Sequence, residues 1–182
     1  MTEVVLSLGS NLGDRESRLR AVVDGLGTQV RAVSPLYETP PWGGVDQGPF
    51  LNAVVIAQDP TCNAHDWLRR AQAFEAAADR VRDVRWGPRT LDVDLVACFL
   101  ESDDAGPVGA RGPEVVMADH DLTLPHPMAQ LRAFVLIPWL AVDPEAELTL
   151  SDGRRRVADV LADIPAAERD AVRSVGQGWA TL

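Results

Sequence analysis

Apolar residues concentrate in three stretches, 3–8, 50–57 and 90–99, each rich in Val, Leu, Ile or Ala and each of strand length. Between them the spacing changes. Leu19, Val22, Val23 and Leu26 recur at helical intervals, with Gly25 and Gly27 closing that segment and Asp14 or Ser10 available to cap its start. Trp67, Leu68, Ala71, Phe74, Ala78 and Val81 form a second helical stripe. Residues 28–37 read as strand. Residues 39–49 carry Pro40, Pro41, Gly43 and Gly44 and read as a surface loop. Residues 101–119 are acidic, with Gly and Pro, and read as an exposed insertion. An apolar segment at 131–142 is partly helical around Pro138, and a short strand at 147–150 precedes weak helices. The resulting order, βαββαβ plus C-terminal additions, predicts an α+β fold in which helices pack on one face of an antiparallel sheet. No repeat or linker divides the chain, so a single domain spanning 1–182 is expected.

Composition narrows the chemistry. The net charge of −10 argues against nucleic acid as a partner. All 17 basic residues are arginine, which excludes mechanisms built on a P-loop, strand or Schiff-base lysine. Any anionic ligand must be met by Arg, His, backbone N–H groups or metal. The longest apolar run is too short to cross a bilayer, and no basic region precedes the first apolar stretch. A cytoplasmic protein with no membrane partner is the expectation. Cys62 and Cys98 have no metal-ligand spacing and read as reduced core residues.

The densest chemistry lies at 80–94. Asp92 and Asp94 alternate with Leu91, Val93 and Leu95, so both carboxylates point to one strand face, their α-carbons roughly 6.6 Å apart. Two ionised carboxylates so close repel, and a divalent cation relieves the repulsion; oxygen donors of this kind suit Mg²⁺. A D-x-D pair is also common on solvated strands. What favours the metal is the company: Arg80, Arg82, Arg85 and Arg89 lie in ten residues of an acidic chain. Metal carboxylates beside arginines are the parts that phosphoryl-type transfer needs. Trp86 could stack on a ligand or fill core. His126, between two prolines, could contact a phosphate or be a turn histidine. Pro40, Pro41, Trp42, Phe50 and Asn52 combine flat apolar faces with an amide that can read a heterocycle edge, or simply pack a loop.

Four segments together resemble the bacterial hydroxymethyldihydropterin pyrophosphokinases: Leu8-Gly9-Ser10-Asn11-Leu12, Tyr37-Glu38-Thr39-Pro40-Pro41, Phe50-Leu51-Asn52-Ala53-Val54 and Arg85-Trp86-Gly87-Pro88-Arg89-Thr90-Leu91-Asp92-Val93-Asp94. Leu122-Thr123-Leu124-Pro125-His126-Pro127 and Arg132-Ala133-Phe134 support the match in order and spacing. The resemblance implies a ferredoxin-like fold acting as a monomer. It implies two Mg²⁺ ions at Asp92 and Asp94, and ATP contacts from Gln72, Glu75, Trp86, Arg89, Thr123, His126 and Arg132. It assigns Arg80, Arg82 and Arg89 to catalysis, and Thr39, Pro40, Trp42, Phe50, Asn52 and Phe134 to the pterin pocket. Asp121 stands where some relatives have a basic residue, and Phe50 where some have Tyr.

The implied reaction is attack by the hydroxymethyl oxygen of 6-hydroxymethyl-7,8-dihydropterin on the β-phosphorus of ATP, giving AMP and the pterin pyrophosphate for folate synthesis. Three rivals share some of these features: a kinase moving only the γ-phosphoryl group, a nucleotide-binding regulatory module, and a βαββαβ interaction domain. The first would release ADP instead of AMP.

Overall fold

The computed structural model describes residues 2–41, 47–78, 90–100 and 112–180. Five strands make the central path of an antiparallel sheet: β1 (Thr2–Ser10), β3 (Leu36–Thr39), β4 (Phe50–Asp59), β5 (Asp92–Leu100) and β10 (Arg173–Gly176). Their order is β10-β3-β4-β1-β5, and a short β2 (Val30–Val33) also pairs with β4. The strand expected at 28–37 is thus two strands on one edge of β4. Pro35 lacks an N–H and breaks the ladder. Ser34 bridges the break, donating its N–H to the Val54 carbonyl and accepting the Val54 N–H on its hydroxyl, both at 2.9 Å.

Helices cover both faces of the sheet, not one. The helices α1 (Arg15–Leu26) and α2 (Ala64–Ala77) pack with Val4, Leu6, Leu8, Val93 and Leu95. On the other face, α3 (Ala133–Val142) and α4 (Val157–Asp163) pack with Val5, Val54, Ile56, Val96 and Phe99. This is why the apolar runs are unbroken: a strand buried on both faces has no solvent side to leave polar. Pro138 lies buried inside α3, whose apolar residues go all round because the helix is itself core. Between α3 and α4 runs a hairpin of β8 (Glu147–Leu150) and β9 (Gly153–Arg156), and a short α5 (Ala166–Asp170) precedes β10.

Local caps follow the sequence closely. Asp14, not Ser10, caps α1 by accepting the Ser17 N–H at 3.1 Å. Asn63 and Asp66 form a reciprocal capping box at the start of α2. The end of the expected insertion is not a free loop. Residues 112–115 run along the outer edge of β5, where Leu100 donates to Pro113 and Val115 to Cys98 at 2.9 and 2.8 Å. A two-residue pair, β6 (Met117–Ala118) and β7 (Thr123–Leu124), follows. Among the described residues no helix is long and apolar enough to cross a membrane. Cys62 and Cys98 are buried free thiols.

Candidate active site

Strand register assembles the site. Opposed residues in an antiparallel sheet share a face. Thr39 lies opposite Phe50, Asn52 opposite Gly9, and Gly9 opposite Asp92. One row further in, Val54, Ser7 and Asp94 are aligned. Val54 packs toward α3, so Thr39, Phe50, Asn52, Asp92 and Asp94 all lie on the α3 face, at one end of the sheet. Asn52 and Asp92 are two strand spacings apart, roughly 10 Å.

Gly9 sits between them and keeps the floor low. A Cβ there would come within 3.2 Å of the Asn52 Oδ1 and 3.7 Å of the Phe50 ring. Asn52 is buried and donates from Nδ2 to the Thr39 hydroxyl at 2.8 Å. Phe50 and Phe134 are half-buried and Pro40 is exposed.

Asp92 and Asp94 are half-buried at the start of β5, with Val93 and Leu95 in the core behind them. A β-bulge follows. Leu95 opposes Leu6 but Ala97 opposes Val5, so Val96 is the extra residue. The bulge puts the two aspartates on the same face as Ala97 and Phe99. It also frees the Val96 carbonyl, which accepts the His126 N–H at 2.8 Å. His126 is thereby tethered beside the carboxylates. Its Nδ1 accepts the Met128 N–H at 3.1 Å, so the neutral ring carries its proton on Nε2. Burial lowers the His126 pKa; Asp94 and Asp92 oppose that shift and Arg132 adds to it.

Arg132, at the position just before α3, turns its side chain inward, only 10% of it exposed, to bind the Asp94 Oδ2 through Nη1 at 3.1 Å. Its guanidinium also lies 5.8 Å from the centre of the Phe134 ring. One arginine therefore joins the carboxylate side of the site to the aromatic side.

Glu75 reaches the site from behind. It is buried on α2, and its Oε1 accepts the Val93 N–H, between the two aspartates, at 3.0 Å. Gln72 and Thr123 are exposed, on α2 and β7. Trp42, Arg80, Arg82, Trp86 and Arg89 lie outside the described residues.

Gly9, Ser10 and Asn11 were not among the expected site residues, although their motif is conspicuous in the sequence. Beside Gly9, Ser10 donates to the Thr90 carbonyl at 2.5 Å, tying the end of β1 to the approach to Asp92. Asn11 donates from Nδ2 to the Gln47 side chain and the Gly48 carbonyl at 3.0 and 3.1 Å.

Among the described residues no three His, Cys, Asp or Glu side chains converge on one point. The donor set is two half-buried carboxylates on one strand face. That matches Mg²⁺ sites in which water and phosphate oxygens complete the shell, and does not match an all-protein cage.

An antiparallel α+β sheet thus carries, on one face, a carboxylate–guanidinium–imidazole cluster beside aromatic and amide side chains. The family model for 7,8-dihydro-6-hydroxymethylpterin-pyrophosphokinase (HPPK) matches residues 5–144. The chain is 61% identical over 173 residues to the 2-amino-4-hydroxy-6-hydroxymethyldihydropteridine pyrophosphokinase of Mycobacterium tuberculosis, covering 95% of this chain and 89% of that protein. It is 56% identical to the protein of the same name from Mycobacterium leprae, with 95% and 88% covered. Among solved structures, a Plasmodium falciparum HPPK-DHPS variant with pterin and p-hydrobenzoate aligns with TM-score 0.61 at 12% identity. That alignment covers 94% of this chain and 47% of the other, so the chain spans about half of that longer protein. The chain belongs to the 7,8-dihydro-6-hydroxymethylpterin-pyrophosphokinase family.

Proposed function

We propose that this protein transfers a pyrophosphoryl group from ATP to 6-hydroxymethyl-7,8-dihydropterin, releasing AMP, in folate biosynthesis. Family membership supports the reaction. The observation that supports the site is the register row Asn52–Gly9–Asp92, which sets the Asn52 amide and the Asp92 carboxylate on one face about 10 Å apart. The strand order supports a ferredoxin-like reading of the sheet, with β10 as an addition; the protein is read as a single domain working as a monomer. The buried reduced thiols suit the cytoplasm.

In this reading Asp92 and Asp94 hold two Mg²⁺ ions, which when bound screen the triphosphate and lower the charge barrier to attack. Arg132 neutralises Asp94 and offers its remaining donors to phosphate. His126 presents Nε2–H to a phosphate oxygen without adding charge. Glu75 holds the peptide between the aspartates, and Gln72 and Thr123 contact the nucleotide. Phe50 and Phe134 stack on the pterin, Asn52 reads its edge, and Thr39, Pro40 and Trp42 complete the pocket. Arg80, Arg82 and Arg89 stabilise the charge on the departing AMP, beside Trp86.

The test is Asp92→Asn and Asp94→Asn at limiting and saturating Mg²⁺. Each loses turnover by about two orders of magnitude or more at an unchanged fold. Wild-type turnover in either variant at limiting Mg²⁺ removes that residue from the metal site.

A further inference from the structure

Phe50 and Thr39 form the last pair of the β3–β4 ladder. A terminal pair has no neighbour beyond it and frays most easily. Yet here that pair carries two residues of the proposed pterin pocket, so something must hold it closed.

Arg15, the first residue of α1, does so from the opposite face of the sheet. Its guanidinium donates through Nη1 to the Pro49 carbonyl at 2.9 Å and through Nη2 to the Glu38 carboxylate at 3.0 Å. Pro49 immediately precedes Phe50, and Glu38 immediately precedes Thr39. Glu38 pairs with Leu51, on the face away from the pocket. A single planar fork thus spans the backs of both strands at the point where the ladder ends. Asn11 holds the same segment one residue earlier, at Gly48. Arg15 and Glu38 are about a third exposed, and ion pairs of that kind add little to global stability. Their effect is positional.

We propose that Arg15 is a positioning residue for pterin binding. It clamps Pro49 to Glu38 and so fixes Phe50 opposite Thr39, without touching either substrate. The proposal rests on the reading of Thr39, Phe50 and Asn52 as the pterin pocket. In Arg15→Ala, the KM for pterin rises about tenfold, while kcat and the KM for ATP stay within about twofold. Glu38→Ala loses one of the two contacts and rises less. The double variant behaves like Arg15→Ala alone, because the Glu38 contact acts through Arg15. Arg15→Lys, with one point charge and no fork, falls between wild type and Arg15→Ala.

Unchanged pterin KM in folded Arg15→Ala overturns the proposal, as does an equal fall in kcat. Asn52→Ala is the control for the underlying reading. If it weakens pterin binding and Arg15→Ala does not, the clamp alone is wrong. If neither variant does, the pocket itself is misassigned.

Discussion

Glu75 offers a sharp test of how the proposed metal carboxylates, Asp92 and Asp94, are held. Its Oε1 takes the Val93 N–H, which faces the outer edge of β5 at a position 5% exposed. In Glu75→Ala that donor loses its side-chain acceptor in a place that water reaches poorly. An unsatisfied buried N–H costs about 1–3 kcal/mol. Only part of that appears as global instability, because Val93 lies near the start of β5, where the strand can relax locally. The remainder appears as disorder of the peptide joining Asp92 to Asp94. Losing about 1.4 kcal/mol of that preorganisation raises the Mg²⁺ concentration for half-maximal activity roughly tenfold. Glu75→Gln keeps a carbonyl acceptor and recovers most of the loss. The assay is Mg²⁺ activation at fixed pterin, compared with the KM for ATP at saturating Mg²⁺. If Glu75 acts only as a nucleotide contact, the KM for ATP rises and the Mg²⁺ profile does not move. That result, in a variant with near-native melting temperature, refutes the reasoning.

Phe50→Ala, Phe134→Ala and Asn52→Ala each weaken pterin binding and leave ATP affinity nearly unchanged, by calorimetry with a non-reactive pterin and an ATP analogue. The aromatics lose stacking worth about 0.5–1.5 kcal/mol beyond their buried area, and the Asn52 change loses roughly 1–3 kcal/mol. The Cys98 thiol, pushed up to about 11 chiefly by burial, resists a thiol reagent at pH 8 in the native protein and reacts on unfolding. Rapid native-state labelling of Cys98 contradicts this. Asp59 titrates below its usual 3.8, first because the Thr61 hydroxyl and N–H donate to it, with Arg70 adding a further bond. A depressed carboxylate stabilises the fold above its unfolded pKa and loses that contribution as pH falls below about 3.8. Asp59→Asn is therefore less stable than wild type at neutral pH, and the difference narrows in acid; a constant difference in thermal melting across pH 7 to 3 argues against it.

The sequence located the strands and helices well where apolar spacing was strong: the helical stripe from Trp67 falls on α2, with its last member Val81 outside the described residues, and the strand expected at 90–99 is β5. It missed that helices cover both faces, although unbroken runs such as Ala53–Ala57 carried that signal: half-buried strands alternate, and these do not. Strand β10 was unreadable because Arg173 and Ser174 are exposed and pair through backbone alone. The D-x-D face was legible from period-two alternation. The bulge at Val96 was not, because it is defined by the register of the partner strand. Without it the tether of His126 to the carboxylates has no explanation. Gly9, Ser10 and Asn11 were visible as a motif, but their roles depend on residues some 40 to 80 positions away. Nothing local in the sequence reports such contacts.

The proposed reaction makes the β-phosphorus of ATP the centre attacked. Incubation with ATP, Mg²⁺ and 6-hydroxymethyl-7,8-dihydropterin, followed by phosphorus NMR, tests it directly. Equal amounts of AMP and a pterin carrying two coupled phosphorus nuclei are expected, both formed about a hundredfold or more slowly in Asp94→Asn. ADP together with a pterin carrying one phosphorus would contradict it.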